Sequence, residues 1–127
     1  MENFNLYYKN LANSLKLLAI IDRDNLDCII KEYPDFSDVP FEVCDSYLKV
    51  FLLVPQLIDN NYLNLKVIAN LIRLYIFVEE LVADTTLCKE SEEVFFTNPK
   101  WIRISRITKE TLKQMNIPLS YPQFKYL

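Results

Sequence analysis

The sequence predicts an all-α protein: a compact single-domain bundle of about five helices spanning residues 1–127, with a kinked third helix and an irregular C-terminal tail. Three observations carry that expectation. Apolar residues recur every three or four positions through most of the chain. No stretch alternates apolar and polar residues as a half-buried strand does. The 127 residues contain six prolines and no glycine, and the first four prolines fall where helices would end, begin or bend. At 51% hydrophobic residues the chain can build a real core. A chain of this size buries roughly two thirds of its unfolded surface.

Each element follows from local pattern. Over 4–21, Phe4, Tyr8, Leu11, Leu15, Leu18 and Ala19 form one stripe, with Lys9, Asn13 and Lys16 off it. The pattern resumes at Leu26, Ile29, Ile30 and Tyr33. Residues 22–25 lie between, either as a break capped by Asp24 or as the middle of one bent helix; two closely linked helices are the expectation. Pro34 ends the second helix and Pro40 opens the third, with Asp38 or Val39 near its cap. The third helix runs to about Ile58, and Pro55 within it removes the N–H that would bond back to Phe51, predicting a kink. Helices commonly finish on a left-handed residue, usually glycine; a glycine-free chain must use asparagine, so Asn60 or Asn61 is expected in that conformation.

The fourth helix, about 64–83, is apolar around most of its circumference. That predicts burial on most sides at the centre of the bundle, with Arg73, Glu79, Glu80 and Asp84 on one wet edge. Residues 83–89 read as a loop and 91–96 as a short helical turn. Asn98-Pro99 signals the start of the fifth helix, 99–115, with Ile102, Ser105, Ile107, Leu112 and Met115 variably inward and Asn116 at its end. The aromatic residues Tyr121, Phe124 and Tyr126 predict that the tail, 116–127, packs on the bundle.

Composition excludes several chemistries. Without histidine there is no Cys-His pair, no Ser-His-Asp triad and no imidazole zinc ligand. Without glycine there is no Walker loop and no glycine-rich dinucleotide turn. Cys28, Cys44 and Cys88 are odd in number and widely spaced, which predicts buried thiols in a reducing cytosol rather than a zinc or thioredoxin-type site. The longest apolar runs, such as 50–54, fall far short of the ~20 residues needed to span a bilayer. The N-terminal Met-Glu-Asn-Phe-Asn has no basic region before an apolar run, so no signal peptide is expected, and the expected location is cytoplasmic.

Charge is strongly sorted along the chain. Residues 1–48 carry nine acids and four bases, net −5; residues 49–97 carry seven and four, net −3; residues 98–127 carry one and six, net +5. The acids concentrate in 22–45: Asp22, Asp24, Asp27, Glu32, Asp35, Asp38, Glu42 and Asp45, against Arg23 and Lys31. Such a band fits an ordinary solvated face, a docking surface for a basic partner, which it would steer into place, or a metal-binding cluster. The basic helix presents Lys100, Arg103, Arg106, Lys109 and Lys113 near Trp101. It reads as a cation-rich outer face or, alternatively, as a nucleic-acid-binding element, although a pI near 5.0 argues against general phosphate binding. A third possibility is Mg²⁺ chemistry. Glu42 and Asp45, with Glu79, Glu80 and Asp84, have helix-face spacing that resembles the helical nucleotide pyrophosphohydrolases, but the order is inverted and Ala83 stands near where an acid belongs. Among the eight tyrosines, Tyr7, Tyr33 and Tyr62 are the candidates for exposure at an interface.

Three segments carry a family resemblance: Tyr33-Pro-Asp-Phe-Ser-Asp-Val-Pro-Phe-Glu-Val43, Phe51-Leu-Leu-Val-Pro-Gln-Leu-Ile-Asp-Asn-Asn-Tyr-Leu63 and Asn98-Pro-Lys-Trp-Ile-Arg-Ile-Ser-Arg-Ile-Thr-Lys109. Together they resemble small bacterial immunity proteins of contact-dependent growth inhibition systems, over about residues 11–115. Related sequences usually place glycine where this chain has Asn60-Asn61. The resemblance implies a non-enzymatic cytoplasmic protein that needs no cofactor or metal. Its partner would be a cognate toxin C-terminal domain, often a nuclease, bound directly without nucleic acid or membrane. The resemblance fixes no contact residues; the acids of 22–45 are the candidates on charge alone.

Overall fold

Helix α1, Phe4–Ile20, is the most enclosed element. Its residues 11–15 and 17–19 are all buried, on every side of the helix, because α2 (Val39–Val50), α3 (Val54–Asp59), α6 (Pro99–Gln114) and a tail turn of 3-10 helix (Phe124–Tyr126) pack around it. Helix α4, Leu65–Ala83, lies against α2 and α6, and the short α5, Glu92–Thr97, leans on α6. This computed structural model describes residues 4–20, 31, 39–83 and 92–126, and no strand occurs among them. The protein is all-α, as its periodicity predicts. The second helix expected from residue 26 onward and the hinge at 22–25 lie outside the described residues, apart from the exposed helical Lys31.

The core joins Leu11, Leu15 and Leu18 of α1 to Val43 and Tyr47 of α2, Leu71, Leu74 and Val78 of α4, and Trp101, Ile104 and Leu112 of α6. Most of these side chains are fully removed from water, each contributing about 1.5–3 kcal/mol of transfer free energy. Trp101 is buried among Phe95 and Phe96, with ring centroids at 5.1 and 5.9 Å, which fixes α5 to the start of α6.

The predicted kink is present and has the predicted cause. Pro55 has no N–H for the Phe51 carbonyl, and that oxygen accepts instead from the Val54 N–H, one residue earlier. The chain tightens into a 3-10 turn at Phe51–Leu53 before α3 resumes, so the third predicted helix is α2, turn and α3 in sequence.

Asparagine also does what the missing glycine would. Asn61 (φ 61°) and Asn116 (φ 58°) are left-handed. At the end of α3, Tyr62 N–H donates to Leu57 O at 3.0 Å and Asn61 N–H to Ile58 O at 3.1 Å. At the end of α6, Ile117 N–H donates to Leu112 O at 2.9 Å and Asn116 N–H to Lys113 O at 3.0 Å. Both are Schellman caps, with the residue after the cap beside the helix's last buried leucine. Asparagine starts helices too: the Asn64 side chain accepts from Val67 N–H, and that of Asn98 from Lys100 N–H ahead of Pro99.

The tail returns to the bundle at its far end: Tyr126 is half-buried, whereas Tyr121, one of the aromatics expected to pack, is exposed. Pro122 is buried, and Gln123 N–H donates to Asn13 Oδ1 at 2.7 Å. Asn13 itself is buried although it lies off the α1 stripe, its amide also donating to Lys9 O. A hydrogen-bonding side chain at that position lets α1 hold the returning main chain.

Candidate functional site

Two of the eight acids proposed as partner-binding fall within the described residues. Glu42 and Asp45 sit three apart on α2, both half-buried. They border an open groove whose apolar wall is Leu6 and Leu17 of α1 with Val50 and Leu53, and whose far side is Lys125 and Tyr126 of the tail turn. Asp45 is not bare: Lys49 Nζ lies 2.9 Å from its Oδ2. Hydrogen bonding to Asp45, then the charges of Asp45 and Glu42, hold the Lys49 ammonium above its usual range. The groove is therefore of mixed charge, with Lys49 in ion-pair contact with Asp45 and within the field of Glu42. Asp22, Asp24, Asp27, Glu32, Asp35 and Asp38 lie outside the described residues.

The structure corrects the expectation for α4. It is not buried on most sides. Leu65 (83% exposed), Ile72 (46%) and Ile76 (48%) stand in one row on its outer face, with Ala83 exposed further along. Spacings of seven and four residues align them, and the row from Leu65 to Ile76 is about 16 Å long. Glu79 and Glu80 are exposed at its C-terminal end. Tyr75 donates to Glu79 Oε1 at 2.9 Å, a bond that raises the tyrosine's pKa, and its ring stacks on Phe51 at 4.4 Å. This face was hidden in the sequence by the very number of its apolar residues. Only after the inward set (Val67, Leu71, Leu74, Val78 and Leu81) is subtracted does the second row appear.

The basic residues of α6 are all on its outside: Lys100, Arg103, Arg106, Lys109 and Lys113 are exposed. Arg103 lies 5.1 Å from the centre of the Phe77 ring, binding α6 to α4. Ile102, expected partly inward, is 53% exposed. Trp101 turns into the core instead of the solvent. Of the tyrosines suspected of exposure, Tyr62 is at the surface and reaches Asn5 Oδ1, Tyr7 is half-buried, and Tyr33 lies outside the described residues.

Among the described residues, no three Asp, Glu or Cys side chains gather closely enough to hold a metal ion, and Asp84 of the proposed Mg²⁺ set is not among them. Cys44 is buried in the core; Cys28 and Cys88 fall outside the described residues. Of the buried polar residues, Asn13 ties the tail to α1 and Asn70 ties α4 to α6, Thr108 and Thr111 bond back within α6, and the Ser14 hydroxyl has no hydrogen-bond partner. Among the described residues no helix is long and apolar enough to cross a membrane. No protein-family model, curated protein or solved structure matches the chain.

Proposed function

We propose that this chain is an immunity protein of the contact-dependent growth inhibition type, a cytoplasmic binder that neutralises a cationic toxin domain by covering the surface with which that toxin grips nucleic acid. The observation that carries this proposal is the outer face of α4. An apolar row with a charged border has the anatomy of an interface, and the glutamates at its C-terminal end suit a basic partner, while Lys66 and Arg73 flank its earlier part. The acid excess of residues 1–97 adds long-range steering towards the same partner. Glu42, Asp45 and the other acids of 22–45 would meet the partner's lysines and arginines. Tyr47, Asn70 and Asn13 inside the bundle are engaged in holding it together, which suits a scaffold whose work is done at its surface.

The deciding experiment is co-expression with the C-terminal domain of the protein encoded immediately upstream of this chain. A complex that co-elutes on size exclusion, together with restored growth of toxin-expressing cells, is the expected result. Loss of both on replacing Ile72 and Ile76 by Asp, with helix content unchanged, would tie the effect to α4. Separate elution at micromolar concentrations with no protection of the cells overturns the proposal.

A further inference from the structure

We propose that the outer face of α6 is a second docking surface, which takes an acidic protein segment bearing an apolar anchor residue. Arg106, Lys109 and Lys113 are exposed at three- and four-residue spacing and so share one face. Like charges at that spacing repel and weaken a helix. Among the described residues none of the three has a carboxylate within ion-pair distance; the acid nearest in sequence, Glu110, stands four residues after Arg106 and three before Lys113. The exposed Ile102 lies on the same face, four residues before Arg106. Beside it opens a shallow pocket floored by Phe96 and Trp101 and rimmed by Ser105, Arg106 and Lys109. Apolar floor and cationic rim together complement a segment whose carboxylates meet the rim while one aliphatic side chain enters the pocket.

A protein segment fits this surface better than a nucleic acid. Single strands are held by bases stacking on open aromatic faces, and Trp101 is only 3% exposed. This surface shares no residue with the α4 row or with the acids of 22–45, so either proposal can fail alone.

The test is fluorescence anisotropy at about 50 mM salt with a labelled peptide of Glu-Glu-Leu-Glu repeats, a Glu-Glu-Ala-Glu counterpart and a single-stranded oligonucleotide. The leucine peptide should bind tightest. Arg106→Glu with Lys109→Glu should weaken it at least about tenfold with unchanged circular dichroism. Arg106→Gln with Lys109→Gln, which reverses no charge, should give a smaller loss in the same direction. Ile102→Ser should erase the preference for leucine over alanine while leaving the salt dependence. Absence of peptide binding overturns the proposal, as does affinity indifferent to these substitutions. Oligonucleotide binding as tight as the peptide's, or self-association abolished by the charge reversal, would assign the face to a different occupant and overturn it equally.

Discussion

The hydroxyl of Tyr47 donates a 2.7 Å hydrogen bond to the main-chain carbonyl of Leu71, joining α2 to α4 through the middle of the core. Tyr47 is fully buried, and burial pushes its hydroxyl far above the ordinary 10.0. The folded protein therefore keeps this proton where the unfolded chain loses it. The stability involved is fully present below pH 10.0 and drains away as the pH climbs from there towards the raised folded value. Tyr47→Phe should cost about 1 kcal/mol at neutral pH and flatten the decline above pH 10, measured as urea midpoints across that range. An equally steep alkaline decline in the Phe variant would assign it to other groups, such as Lys49 and Tyr75, whose raised values act with the same sign.

Asn61 and Asn116 give a second prediction. Glycine at either position should be neutral or stabilise by up to about 1 kcal/mol, while alanine should destabilise by about 1–2 kcal/mol, because only a side chain with a Cβ is penalised at positive φ. Thermal melts of the four single variants would check it.

These two caps also show what was legible beforehand. Asparagine at the end of the third predicted helix, the proline-directed kink at residue 55 and the Asn98-Pro99 start all rest on local backbone chemistry, and each appears in the structure. What was not legible depended on which neighbours a helix finds. Periodicity counts apolar residues but does not say which of two rows is covered, so α4 looked central when α1 holds that place. Asn13 looked exposed because its partner, Gln123, is 110 positions away. For the candidate site, charge sorting was visible, but the uncovered row on α4 was not.

The tail should depend on Asn13. Asn13→Leu removes the acceptor of Gln123 N–H and should cost about 1–3 kcal/mol. Amides after residue 116 should then exchange with solvent faster than those of α6. Asn13→Asp, which keeps the acceptor oxygen but loses the donor to Lys9 O, should leave the tail better protected than Asn13→Leu does.

Neighbouring positions of α4 should respond in opposite ways. Ile72→Ser and Ile76→Ser should change stability by no more than about 0.5 kcal/mol, because both side chains already meet water. Leu74→Ala, in the fully buried row, should cost about 2–5 kcal/mol. Denaturant titrations giving similar losses at 72 and 74 would show that the outer row is covered in solution.

Reversing Glu42 and Asp45 to lysine should slow association with the toxin domain and reduce its salt dependence, with dissociation less affected. Stopped-flow traces unchanged at low salt would remove these two acids from the proposed encounter surface.

Filling left-handed positions with asparagine has a chemical corollary. Asparagine ages by attack of the following backbone nitrogen on its own side-chain carbonyl, a ring closure that is fastest when glycine comes next. Here the following residues are Tyr62 and Ile117, and both nitrogens are committed to leucine carbonyls, at 3.0 and 2.9 Å. The same bonds that close the two helices thus shield these asparagines from spontaneous deamidation for as long as the helices remain folded.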